Sequence, residues 1–209
     1  MQNTITFLDN INTAQQAILD KARQGVADLR VLIEKSYFAP KKVGDHFGGG
    51  IVFYVDATGQ HGLIAALSDL TDGVVNYRPW NSAVLKTTGA TGDGIGAGAA
   101  NTTTIVAAKT GDRDFVCAAK VANDYTVHGD APYADTVDET CYGDWYLPSK
   151  FELNLLYQQK SIVGGFVDSL YWSSTENDAY RAWAQYFCSG SQHNLNKKHA
   201  LRVRAVRAF

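Results

Sequence analysis

Few folds can absorb the stretch from Tyr171 to Phe209, YWSSTENDAYRAWAQYFCSGSQHNLNKKHALRVRAVRAF, because two kinds of position interleave along it. Trp172, Trp183, Phe187, Gly190, Val203, Val206 and Phe209 are large, apolar or conformationally demanding. Between them stand residues chemically unrelated to one another: Asp178, Tyr180, Arg181, Ala184, Tyr186, Cys188, Ser189, Ser191, His193, Leu195, His199 and Leu201. Alternate residues of a strand face opposite ways. A strand over 181–188 therefore turns Trp183 and Phe187 inward and Ala184, Tyr186 and Cys188 outward. Ser189-Gly190 then supplies a tight hairpin turn, since glycine takes positive φ without penalty. Ser191, His193 and Leu195 share the outward face of the returning strand. A sheet with a regular inner side and an idiosyncratic outer one suits binding better than catalysis.

The framework YWSSTEN…AW…F…G…N…K…RVRAVRAF, preceded by YGDWYLPSKFELNLLYQQ, resembles the C-terminal domain of collagen-like adhesins of the Lcl type. That family is related to the C-type lectin fold in its formylglycine-generating-enzyme form. The chain also looks like the variable proteins of diversity-generating retroelements, to which the phage major tropism determinant belongs. The fold implied is α+β, a C-type-lectin-like domain preceded by an amphipathic helix. In those systems adenine-directed mutagenesis rewrites a C-terminal repeat, often from AAC codons for Asn. Replacing the two adenines reaches Asp, Tyr, Arg, Ala, Cys, Ser, His and Leu but never Gln, Lys, Glu, Trp or Met. Every outward position above holds a reachable residue. By the same logic Asn177, Asn194 and Asn196 are unaltered template, and Gln185, Gln192, Lys197 and Lys198 are fixed. An ordinary solvated lectin-like sheet without diversification is the competing reading.

With 209 residues, 45% of them hydrophobic and 19% charged, the chain is expected to be globular. A net charge of −2 gives no basic field for nucleic acid. The longest apolar runs, such as 62–67, are too short to span a bilayer, so membrane insertion is not expected. The opening MQNTITFLDN lacks the basic start and apolar core of a signal peptide, which points to synthesis in the cytoplasm. Cys117, Cys141 and Cys188 include no C-x-x-C, so a structural zinc site is not expected. A Cys117–Cys141 disulfide and buried free thiols both fit, with free thiols the expectation in a cytoplasmic product.

Two domains are expected, a helix in 1–40 and a ligand-binding domain in 41–209, with the variable region at about 171–209. Leu8, Ile11, Gln15, Ile18, Ala22, Gly25, Leu29 and Leu32 follow heptad spacing, and Leu19, Val26 and Ile33 widen the stripe. This predicts a helix over 8–37, capped by Asp9 or Asn10 and ended at Ala39-Pro40. Such a stripe needs cover, either from the following domain or from copies of itself. Self-association is the expectation, as a homotrimer by resemblance to phage fibre proteins.

Ile51 to Asp56 and Gly62 to Leu67 read as a hairpin, with its turn over 57–60. His61 at the second strand's mouth is a structural or exposed imidazole. TTGATGDGIGAGAAN has the glycines of a phosphate loop but no G-K-[ST], no G-x-G-x-x-G spacing and no βαβ surroundings. It reads instead as a loop leading into a helix capped by Asn101. Further helices are expected at 105–109 and 115–125, then loop over 126–140. Ser149 and Glu152 form a capping box for a helix ending at Gln159, with Phe151, Leu155 and Leu156 as its apolar side. Trp145 and Trp172 are expected in the core. The arginines of RVRAVRAF are expected to pair with carboxylates at a solvated surface.

A formylglycine-generating enzyme depends on a reactive cysteine pair, and Cys188 has no neighbouring cysteine in sequence. Calcium lectins use E-P-N or Q-P-D with W-N-D, and neither occurs; Glu176-Asn177-Asp178 is the nearest fragment. No cofactor, metal or catalytic residue is assigned. The expected function is binding, through the twelve varied residues above, of a protein or glycan on a cell surface. The resemblance implies a phage receptor-binding or adhesion role, displayed on a virion or cell surface. A non-diversified carbohydrate-binding adhesin is the alternative, and a formylglycine-generating-like enzyme a further one.

Overall fold

The structure, a computed structural model, describes residues 2–37, 39–70, 77–81, 85–108, 116–128 and 141–209. The chain forms two units, 1–40 and 41–209. The first is a helix, α1 (Gln2–Tyr37), which begins well before the capping residues suggested by the sequence. Taken by itself it leaves Ile18, Leu29 and Leu32 exposed.

The second unit is α+β. Its elements are β1 (His46–Phe47), β2 (Gly50–Val55), β3 (Gly62–Ala65), β4 (Arg78–Pro79), α2 (Ala97–Ala107), α3 (Ala118–Asn123), β5 (Val127–His128) and β6 (Cys141–Tyr142). There follow α4 (Lys150–Gln158), α5 (Lys160–Val163), β7 (Leu170–Glu176), β8 (Arg181–Tyr186), β9 (Gln192–Asn196), β10 (Ala200–Leu201) and β11 (Val206–Ala208). One antiparallel sheet runs β1-β2-β3-β11, so the C-terminal strand closes onto the first hairpin. A second runs β7-β8-β9. Short pairs join β4 to β10 and β5 to β6.

The β2–β3 hairpin forms as its β-branched residues require, and it is buried on both faces. Val52 and Ile64 enter one core cluster with Trp80, Trp145 and Trp172. Ile51, Phe53, Leu63 and Ala65 enter another with Tyr171 and Phe187. Two-sided burial explains why these strands read as unbroken apolar runs. Trp145 and Trp172 are core residues, as expected.

The capping box holds: Ser149 Oγ accepts the Glu152 N–H, and Glu152 accepts the Ser149 N–H at 2.8 Å. Leu156 is buried and Leu155 packs half-buried against the core, as expected, but Phe151 is exposed and Leu153 takes the third buried apolar position. The glycine-rich segment is a strap over α4. Gly96 donates to Glu152 Oε1 (2.7 Å), and the Phe151 N–H donates to Asp93 (2.7 Å). A Cβ on Gly98 would lie 2.3 Å from Glu152 Oε2. Asn101 is not a cap; it lies inside α2, and its side-chain amide bonds both the N–H and the carbonyl of Gly92. The helices expected at 105–109 and 115–125 are the end of α2 and the shorter α3; residues 109–115 lie outside those described. Val127 and His128 form a strand rather than loop, and the rest of that expected loop, 129–140, lies outside as well. Cys117, Cys141 and Cys188 form no disulfide, and of the three only Cys117 is buried.

The arginines near the C-terminus pair with carboxylates as expected, but Arg202 and Arg204 do so at the largely buried Asp69 rather than at a solvated surface. Arg204 is 1% exposed, bonded to Asp69 and to the carbonyls of Ala66 and Gly165, with its guanidinium 4.0 Å from the Phe166 ring centroid. Arg202 shares the Asp69 carboxylate, which also accepts from the Tyr171 hydroxyl. Burial pushes the Tyr171 phenol pKa up. Arg207 alone pairs with a well-exposed carboxylate, that of Asp144.

Candidate ligand-binding ribbon

The ribbon formed by β8 and β9 is anchored through β7. Trp172 lies directly opposite Ala184, and its indole N–H donates to the Arg78 carbonyl at 2.9 Å. At the end of β7, Glu176 forms an ion pair with Lys197, both side chains fully buried. Glu176 also accepts the N–H groups of Thr88 and Gly89 (each 2.8 Å). Lys197 reaches the Lys86 carbonyl and sits 4.6 Å from the Trp80 ring centroid. Burial alone would raise the Glu176 pKa, but the Lys197 ammonium and the two amides outweigh it and hold the carboxyl below the ordinary range. The turn after β9 is thereby fixed to the strand before β8.

Register decides which side chains are displayed. Arg181 pairs with Asn196, Trp183 with Asn194 and Gln185 with Gln192 on one face; Ala182 pairs with Leu195 and Ala184 with His193 on the other. Neither face of β8 is free. Ala182 and Ala184 pack into the cluster around Trp172. On the opposite face Gln185 bonds Asn154 of α4 (2.9 Å), and the Lys150 ammonium lies 4.2 Å from the Trp183 ring centroid.

Tyr180, Arg181, Cys188, Ser189, Ser191, His193 and His199 are exposed. Asp178, Tyr186 and Leu195 are half-buried. Two expectations are corrected: Ala184 (2% exposed) and Leu201 (9% exposed) are core residues, and neither can meet a ligand. The inward role of Phe187 stands at 1% exposure, but Trp183 is only half-buried and is not a core peg. The physical reason is the same throughout. A central strand covered on both faces does not sort its residues into one wet side and one dry side.

The turn is also longer than expected. Tyr186 and Ser191 pair, Phe187 to Gly190 form the loop, and the Gly190 N–H donates to the Tyr186 carbonyl (2.7 Å). Gly190 has φ +80°, and a Cβ there would strike Tyr157 at 2.4 Å, so two requirements fix it as glycine.

The displayed residues form two groups. At the loop end, Ser189 Oγ, Ser191 Oγ and His193 Nε2 form a chain at 2.8 and 2.9 Å, beside exposed Cys188. At the other end, Tyr180 is 61% exposed and its carbonyl accepts the Lys197 N–H; His199 lies in the adjoining turn. Strand rise of about 3.3 Å per residue separates the ends by roughly 17 Å. Asp178 organises the second group: it accepts the N–H groups of Tyr180 and Arg181 (both 2.8 Å) and the Arg181 Nε–H (2.9 Å). The amide of Tyr180, with that of Arg181 and its guanidinium, lowers the Asp178 pKa to about 2 against the opposing effect of burial. Asp178 is thus a turn-former first.

Asn194, Asn196 and Lys198 are as exposed as the residues singled out by chemical variety. Asn194 and Asn196 are the positions that read in the sequence as unaltered template, whereas Lys198 reads as fixed. Among the described residues no cluster of three or more His, Cys, Asp or Glu could hold a metal ion, and no helix is long and apolar enough to cross a membrane.

No family model matches the chain, and no curated protein matches it. Among solved structures, a fimbrial protein from Bacteroides ovatus is similar over 80% of this chain and 45% of its own length, at 15% identity and a TM-score of 0.46. The chain thus spans less than half of that protein, and a likeness this distant assigns neither fold family nor function.

Proposed function

We propose that the chain is a diversified ligand-binding protein, in which a C-type-lectin-like domain displays a variable surface on the β8–β9 ribbon and its turns. The observation that carries this reading is the alternation of display and anchorage along one short stretch. Tyr180, Arg181, Ser191, His193 and His199 are exposed, while Phe187 and Lys197 between them, and Trp172, Val203 and Val206 on either side, are buried. Side chains that contribute little to the core can be exchanged at small cost. Recognition then works by surface complementarity, with Tyr180 as the aromatic anchor and Arg181 and His199 as polar neighbours. The ligand is a protein or glycan of a cell surface, met by a phage or an adhesive cell. The exposed apolar residues of α1 support self-association of several copies, as a homotrimer, which would raise weak single-site affinity through avidity.

Sequencing the locus in independent isolates tests this. The expected result is substitution concentrated at the exposed ribbon positions, with a near-copy of the terminal coding segment nearby that differs only at adenines. Identical ribbon residues in every isolate, with no such copy, would overturn it.

A further inference from the structure

Most sheet edges in 41–209 are closed by the chain's own backbone or are very short. Beyond β7, the N–H groups of Ser174, Glu176 and Trp172 donate to the carbonyls of Pro148 (2.7 Å), Ala90 (2.7 Å) and Arg202 (3.0 Å). Beyond β11, Val206 and Tyr146 exchange both N–H···O bonds, at 2.8 and 3.0 Å. The strands β1, β4, β5, β6 and β10 have two residues each.

The outer edge of β9 differs. Bonds from Tyr186 N–H to the Ser191 carbonyl and from Lys197 N–H to the Tyr180 carbonyl, both 2.9 Å, fix the phase of the ladder. Residues 191, 193, 195 and 197 direct their backbone groups to β8, so Gln192, Asn194 and Asn196 direct theirs away from it. Among the described residues none of those three N–H groups has a main-chain partner, and of their three carbonyls only that of Asn196 accepts a main-chain bond, from the His199 N–H (2.9 Å), which leaves its second lone pair for a further donor. The strand also lacks the devices by which edges avoid pairing: QHNLN contains no proline, no lysine and no carboxylate, and its register with β8 has no bulge.

We propose that a second copy of this chain covers this edge, with β9 pairing antiparallel to β9 about a two-fold axis at Asn194. The strand is self-complementary in that register. Asn194 meets its own counterpart and Gln192 meets Asn196, all residues whose backbone groups point outward. Their side chains set amide against amide. On the opposite face His193 lies beside Leu195, a half-buried leucine at the rim of the core cluster, which gains apolar cover. No like charges are opposed. The result is a continuous six-stranded sheet that brings two ligand ribbons side by side, and it holds whether or not the ribbon is diversified.

The test compares the full chain with Asn194→Pro and Asn194→Lys by light scattering over a concentration series, with circular dichroism to verify folding. Proline removes an N–H that makes no bond within its own sheet, and lysine opposes two like charges across the axis. The parent is expected to reach twice the mass of both variants, with exchange of the Gln192 and Asn194 amides slowing as concentration rises. Association through α1 persists in all three proteins, so its success or failure is read separately. Equal masses for parent and Asn194→Lys, or amide protection that does not depend on concentration, would overturn the proposal.

Discussion

The strands β7 and β9 flank the same strand, β8, yet they are built on opposite terms. Along β7 every residue from Tyr171 to Glu176 is buried, and its far edge is closed by backbone from Pro148, Ala90 and Arg202. Along β9 His193, Asn194 and Asn196 are exposed, and among the described residues the N–H groups of its far edge have no main-chain partner. One sheet therefore has an invested side and a free side, with the boundary running down β8. Tolerance to change is thus set by backbone closure and facing elements more than by the identity of a residue. An alanine, Ala184, belongs to the core because Trp172 covers it, whereas an aromatic, Tyr180, belongs to the surface.

The largest effect expected on the invested side is loss of the Glu176–Lys197 pair. Lys197→Met leaves a buried carboxylate with only amide partners, and breaking a buried pair from one side costs about 3–5 kcal/mol. Denaturant unfolding measures this. A loss as small as that of an exposed residue would erase the contrast between the two sides.

Next comes a comparison of two tryptophans. Trp172→Ala empties a fully buried site and removes a bond to the Arg78 carbonyl, at a cost of about 3–5 kcal/mol. Trp183→Ala, on the half-covered face, gives up partial burial and the Lys150 contact, at a cost of about 1 kcal/mol. Equal costs would move the boundary off β8.

Two buried glutamates sharpen the comparison by sign. The Glu152 pKa is raised: burial outweighs its bonds from Ser149, Gly96 and Tyr146. The Glu176 pKa is lowered, as described. A depressed carboxyl supplies stability above its unfolded value, about 4.3, and withdraws it as pH falls through its folded value. A raised one supplies stability below that value and withdraws it as pH rises through its own. Carboxyl carbon NMR titration should find Glu176 titrating below Glu152. The reverse order would show that Lys197 does not hold Glu176 charged.

What the sequence made legible was local. Heptad spacing, the hairpin residues of β2 and β3, and Ser149 with Glu152 three residues on all draw their meaning from neighbours within a turn or two. Trp145 and Trp172 were expected in the core from the resemblance to lectin-like domains, and both are there. The failures are long-range. Alternation along 181–188 predicted one dry face, but Trp172 covers Ala184 from the neighbouring strand while α4 approaches Trp183 and Gln185 from the other side. Asn101 resembled a cap because asparagine favours caps, yet its amide reaches back to Gly92. Glu176 reads as a solvated loop carboxylate until Lys197, 21 positions later, is folded against it. Of the twelve candidate contacts, Tyr180, Cys188, Ser189, Ser191 and His199, all outside strands, kept their exposure, whereas Ala184 and Leu201 lay on strands whose cover comes from elsewhere.

The smallest effects belong to the free side. Tyr180→Ala and His199→Ala remove exposed side chains for which no side-chain hydrogen bond or ion pair is found among the described residues, so each should change unfolding free energy by no more than about 0.5 kcal/mol. Asp178→Ala, a few residues away, should cost more, because it strips the acceptor from the Tyr180 and Arg181 amides that shape the turn. Thermal melts of the three variants check this. If Tyr180→Ala proves the most damaging of them, its ring is part of the framework and the surface proposed for ligand loses its aromatic anchor.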